Sequence, residues 1–230
     1  MTRLPSPLPV YLVPLGGGRF ELYTEPVDEA PLSGELSRGR WRTSVHKVHQ
    51  WWVGAVEAAG RVDQAAGRLE RVQHWAVRAG AEAMAEQRTL WSLRHSLPAT
   101  LVHPADLTGS AAVELRDRLL VAAGRRHGWW LGVNALAFVV SGLFMLIPGP
   151  NLLAYYFAVR LVGHYLSWRG ARCALDDTTW DARGEPALGD LASLASAEPA
   201  ARAPDVEAIA RALNLPQLPA FFERAATPGR

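Results

Sequence analysis

Hydrophobic and polar positions change their period several times along the chain. Val10 to Leu15 is almost continuously apolar, and Phe20 to Thr24 alternates apolar with polar. Alternation with period 2 is that of a half-buried strand. Gly16-Gly17-Gly18 lies between the two runs and takes positive φ without steric cost, so residues 10–24 predict a β-hairpin. Pro14 cannot donate a ladder hydrogen bond, which assigns its strand to an edge or a bend. Two strands alone are marginal, so the hairpin must pack on a helix.

From Leu36 the period becomes helical. Trp41, Val45, Val48, Trp52, Val56 and Ala59 step by three or four, and Val62, Ala66, Leu69, Val72 and Ala76 continue the seam. Gly60 and Gly80 interrupt it, so residues 35–97 predict antiparallel helices with coiled-coil-like packing rather than one rod. His103-Pro104 predicts a loop. Thr108 or Ser110 can N-cap a basic helix, placed at 104–128, that ends on Arg125 and Arg126.

Trp129 to Ile147 then passes without a charge for nineteen residues, about 28 Å of helix against the ~30 Å of a hydrocarbon core. Trp129 and Trp130 stand where an interfacial aromatic belt would put them. Pro148-Gly149-Pro150-Asn151 predicts a turn, and Asn151 a cap for a return helix to about Leu175. Residues 129–175 thus read as a hydrophobic helical hairpin. The alternative is a helix buried in a soluble protein. Residues 177–203, rich in Ala, Gly, Asp, Ser and Pro, predict a flexible linker within 176–203. Asp205 then caps a helix to Leu213, and Ala220–Ala225 closes a small helix-turn-helix module at 204–226. The resulting class is mainly α, with an N-terminal β-hairpin at 8–26.

Charge sharpens the membrane reading. The 230 residues carry 24 basic and 22 acidic side chains, too small an excess for wholesale nucleic-acid binding. The C-terminal module has no basic recognition face for DNA. Basic residues precede Trp129 and recur as Arg169 and Arg172 after the hydrophobic region, while no acidic residue falls between Asp117 and Asp176. Two basic flanks put both ends of the hairpin on the cytoplasmic side. The N-terminus lacks the uninterrupted apolar run of a secretion signal.

Candidate chemistry is sparse. Tyr156, Arg160, His164 and Ser167, at offsets 0, 4, 8 and 11, share one helix face. In a membrane hairpin such a polar row is functional: Arg160 can fix an anion and His164 can carry a proton. On an interfacial helix the same row merely faces headgroups. His46 and His49 lie i, i+3 but have no third ligand nearby in sequence. Cys173 is the one cysteine, which excludes a disulfide framework within the chain. No Gly-x-Ser-x-Gly or Gly-x-Gly-x-x-Gly occurs. No catalytic, cofactor-binding or metal site is therefore expected, and the protein is not expected to be an enzyme.

Pro148-Gly149-Pro150-Asn151, Tyr155-Tyr156, Arg160, His164, Ser167 and Gly170-Ala171 together resemble the mitochondrial K+–H+ exchange-related family. Tyr11-Leu12-Val13-Pro14 and Phe20-Glu21-Leu22-Tyr23 resemble the start of bacterial members, so the likeness would extend over about residues 8–225. It implies an inner-membrane protein connected with potassium–proton exchange, and it carries over no ion-binding residue. Without a mitochondrial presequence, a bacterial plasma membrane fits better, with both terminal regions cytoplasmic. The expected partners are membrane lipid and either further copies of the chain or a membrane protein, because two short helices cannot enclose a carrier pathway built from repeated bundles. The competing expectation is a soluble or peripheral helical scaffold with no transport role.

Overall fold

The computed structural model describes residues 6–25, 89–95, 98–142 and 152–226. They belong to one unit, Met1–Pro26 with Glu86–Arg230; the other, Val27–Ala85, lies outside the described residues. The antiparallel helices expected over 35–97 fall there, except for a turn of helix at 89–95. The Pro148–Asn151 turn also lies outside the described residues.

The expected hairpin is present. β1 (Leu8–Pro14) and β2 (Phe20–Tyr23) pair antiparallel, with Pro14 opposite Phe20, and Gly16, Gly17 and Gly18 all take positive φ in the turn. β1 is not an edge, however. The sheet has the order β2-β1-β3-β4, and both β3 (Ala99–Pro104) and β4 (Trp180–Glu185) run parallel to β1. Pro14 is tolerated for a reason of parity. The Leu8 N–H points toward β3, bonding to Pro98 O at 2.8 Å, and Pro14 shares its parity. The β1–β3 register ends at Tyr11, so the donor that Pro14 lacks would have had no ladder partner.

Two helices connect β3 to β4. α1 (Gly109–Gly142) is continuous through the boundary expected at residue 128, and α2 (Leu152–Asp176) returns beside it. Thr108 caps α1, its Oγ1 accepting from the Ala111 N–H at 3.3 Å. After β4 come α3 (Pro186–Leu194), α4 (Pro199–Leu213) and α5 (Leu218–Ala226). The flexible linker expected over 176–203 is thus corrected: a strand and a helix occupy most of it. β4 forms where the free edge of β3 accepts it and where Trp180 anchors, its Nε1–H donating to Ala174 O at 2.8 Å and its ring lying under the Arg116 guanidinium. α4 begins at Pro199 rather than at Asp205, with the proline in the first turn, where its missing N–H costs nothing. The C-terminal module α4–α5 is tied by buried Arg202, which holds Glu223 through two bonds of 2.8 and 2.7 Å.

Strand alternation divides the core. Val10, Leu12, Ala99 and Leu101 face α1 and α2, packing on Ala112, Leu120, Ala171 and Ala174. Tyr11, Val13, Leu15 and Val102 face α3–α5, packing on Leu188, Leu191, Val206, Leu218 and Phe222. The sheet is therefore covered by helices on both sides, as the two parallel pairings require. Leu12, Phe20 and Leu22 secure the hairpin to this body.

Among the described residues, no helix is long and apolar enough to cross a membrane. The expected transmembrane span therefore finds no support among the described residues. The charge-free part of α1 runs from Trp129 to its described end at Gly142, about 20 Å of helix, and the part before it carries charged side chains and buries Ala112 and Leu120 against the sheet. Residues 143–147 of the expected span lie outside the described residues.

Candidate functional site

α1 and α2 leave the sheet together and pack along one seam. On α1 the seam positions recur every seven residues: Leu120, His127, Asn134 and Ser141, all buried. Seven residues are close to two helical turns, so these side chains line up facing α2. The seam starts apolar next to the sheet and turns polar beyond it. Asn134 Nδ2 donates back to Trp130 O at 2.7 Å, and Ser141 Oγ donates to Phe138 O at 2.7 Å. The outer faces show the reverse chemistry. Trp129 is 71% exposed, Leu136 67% and Val139 68%, with Val133, Val140, Val159 and Val162 beside them. This end of the hairpin is polar inside and apolar outside.

On α2, the row expected from the sequence lies on one face and divides into two halves. Tyr156 and Arg160 form the outer half: Arg160 is exposed, donates to Tyr156 Oη at 3.0 Å, and places its guanidinium 6.0 Å from the centre of the Trp130 ring. His164 and Ser167 form the inner half, and both are buried. Ser167 Oγ donates to Gly163 O at 3.0 Å and accepts from Trp91 Nε1–H at 2.9 Å. The Trp91 segment comes this close because Gly170, one turn further along α2, has no side chain: a Cβ there would lie 1.7 Å from Leu90 O.

His164 meets His127 across the seam. Their Nδ1 atoms are 3.0 Å apart and their ring centres 5.3 Å apart, and Trp130 stacks on His164 at 6.3 Å. Burial lowers the pKa of His127 to about 4, helped by the positive charge of Arg126 and by His164 itself. Burial also lowers that of His164, with Arg160 and then Arg126 adding to it. Both imidazoles are therefore held neutral at pH 7. His127 was legible in the sequence only as part of a basic flank. Its seven-residue spacing to Asn134 and Ser141 is the signal that reveals its place. Among the described residues, no three of His, Cys, Asp or Glu gather as metal ligands.

The helical pair, its polar row and most of the unit outside the described residues fall within one match: residues 32–176 fit the mitochondrial K+–H+ exchange-related family, well over half of the chain. The chain belongs to that family. No curated protein and no solved structure matches it. The matched range is narrower than the 8–225 that the sequence motifs suggest: it takes in β3, α1 and α2, but neither the β1–β2 hairpin nor β4 and α3–α5. The K+–H+ exchange-related region therefore contains every residue of the His127–His164 seam. The hairpin and the C-terminal helices complete the sheet and cover it from outside that region.

Proposed function

We propose that the protein supports or regulates monovalent cation (K+)–proton exchange at a bacterial inner (plasma) membrane, and that it docks there through the far end of the α1–α2 hairpin. Family membership supplies the link to exchange. The observation that carries the membrane reading is the reversed polarity of the hairpin: buried His127, Asn134 and Ser141 against exposed Trp129, Leu136 and Val139. In water that arrangement exposes apolar surface; in a lipid layer it satisfies both faces. Trp129 and Trp130 mark the headgroup level. Arg160, seated over Trp130, then lies at that boundary rather than at mid-depth, where a charge would be expensive. The hairpin dips into the bilayer and returns to the cytoplasmic side, where the sheet and α3–α5 remain. A structure of this size is not a carrier on its own, so the exchange pathway belongs to an assembly of copies or to a membrane-protein partner.

A second reading, a peripheral or soluble helical scaffold, draws on the shortness of the apolar helices. Carbonate extraction and liposome flotation separate the two. A hairpin embedded in lipid keeps the protein in the carbonate pellet and floats it with vesicles. Release by carbonate together with failure to float refutes membrane insertion. Growth of a cell lacking its own copy, tested across potassium concentration and pH, reads the link to exchange. Full growth without the protein under every such condition refutes it.

A further inference from the structure

His127 and His164 are 3% and 7% exposed, and their Nδ1 atoms approach to 3.0 Å. Two bare lone pairs repel at that distance and two N–H groups collide, so the contact holds one hydrogen. The other nitrogen of His127 decides which ring carries it. His127 Nε2 is buried with no hydrogen-bond partner, alone in this among the described residues. A hydrogen there would be a buried donor without an acceptor. His127 therefore carries its hydrogen on Nδ1 and donates it to His164 Nδ1, and His164 carries its own on Nε2.

A further proton has two places to go. On His127 Nε2 it makes a buried cation with nothing to receive its N–H. On His164 Nδ1 it confronts the N–H of His127. Either position is incompatible with the closed contact. Among the described residues, the charged groups bearing on the pair are Arg126 on α1 and Arg160 on α2, and both oppose added positive charge. The 89–95 segment beside them contributes Trp91, committed to Ser167 and Gly163, Arg94, bonded to Trp91 O, and the titratable His95 at its end. Neither α1 beyond Asp117 nor α2 before Asp176 offers a carboxylate. The same two arginines oppose a divalent metal ion between the rings.

We propose that the His127–His164 pair is a proton-binding site that closes the α1–α2 seam when empty and opens it when a proton binds. The proposal stands on the geometry of the pair and does not rest on the membrane reading. Its sign follows from the depressed basicity of the rings. The closed seam is fully favoured above the ordinary histidine range, and the preference is lost progressively as pH falls toward about 4. At pH 5, with an open-state value of 6.5, one histidine shifts the equilibrium about 30-fold toward the open form.

The test is a histidine-labelled NMR titration of the full chain from pH 7.5 to about 3.5, combined with amide exchange corrected for its intrinsic pH dependence. The expected result is Nδ1–H on His127 at pH 7.5, titration of both rings displaced below the ordinary histidine value, and a loss of protection of tenfold or more along α1 residues 124–134 by pH 5, with β1 and β3 unchanged. Titration of both rings near 6.5, or unchanged protection along α1, overturns the proposal. A staple provides the second arm. A Cβ built at Gly124 lies 3.6 Å from Ala171 Cβ, within the span of a disulfide, so Gly124→Cys with Ala171→Cys in a Cys173→Ser background can lock the seam. The oxidised form should retain its protection at pH 5 while the reduced form loses it. Equal loss in both overturns the proposal, and so does a pH-dependent loss in the His127→Leu, His164→Leu chain equal to that of the wild type.

Discussion

Gly170→Ala opposes two effects of known sign. In an exposed helix the change would stabilise by about 0.5–1 kcal/mol, because glycine loses more backbone freedom on folding. Gly170 is buried on α2, and its new Cβ would lie 1.7 Å from Leu90 O, 2.6 Å from Leu90 C and 3.3 Å from Leu90 Cα. The obstacle is backbone, so no rotamer change relieves it. The 89–95 segment must withdraw by more than an ångström. That withdrawal strips Leu90 and Leu93 from their contacts with Leu120, Ala171 and Ala174 and breaks the Trp91–Ser167 bond. Overpacking costs about 1–3 kcal/mol, and one lost hydrogen bond adds about 1 kcal/mol. Net of the helix gain, the loss is about 1–3 kcal/mol, or a fall of several degrees in Tm at this chain length. Gly124→Ala is the internal control. It lies on the facing helix, where its Cβ meets Ala171 Cβ at an ordinary 3.6 Å. That variant should be neutral or stabilised by up to about 1 kcal/mol. Thermal and urea unfolding of the two variants side by side is the measurement. Equal stabilisation of both would refute the close approach of Leu90 to α2.

Other consequences are equally concrete. Glu223→Gln keeps one oxygen to accept from Arg202 but removes the charge and sets an amide NH2 against the second guanidinium N–H; with Glu223 partly exposed, the expected cost is about 1–3 kcal/mol by urea unfolding. The Arg202 hydrogen bond holds the Glu223 carboxyl below its ordinary range, so this contribution is present above pH 4.5 and disappears as acid protonates the carboxylate. His127, with its pKa lowered from 6.5 to about 4, weakens the folded seam by at most about 3 kcal/mol as pH falls through that interval, which stability measured from pH 7.5 to 4 would read as a slope absent from His127→Leu. Leu136→Glu with Val139→Glu, at exposed positions, should change Tm little and abolish flotation with liposomes; flotation equal to wild type would dissociate the apolar face from lipid.

The amino-acid sequence by itself determined the features that depend on neighbours in the chain. Three glycines between an apolar run and an alternating one can form little but a hairpin, and that hairpin is there. The polar row of α2 follows from helical spacing alone, and so does the placement of the C-terminal helical pair near residues 204–226. The family was legible too, because its motifs cluster in α2 and in the Pro148-Gly149-Pro150-Asn151 run before it. Tertiary structure decided what depends on a distant partner. His103-Pro104 reads as a loop until β1 and β4 pair with Ala99–Pro104 on either side. Trp180–Glu185 is polar and exposed along its middle, and it becomes a strand only because β3 offers a free edge and Ala174 O receives the Trp180 indole. Pro14 argued for an edge strand; the parallel register, ending three residues earlier, admits it into the middle of the sheet. The polar row shows the same division. Spacing placed His164 on a face, but only the packing of α1 against α2 brought His127 to within 3.0 Å of it, 37 residues away in the chain. Local periodicity fixes which way a side chain points from its own element, while its partner is set by parallel pairing and helix packing over separations no local pattern encodes.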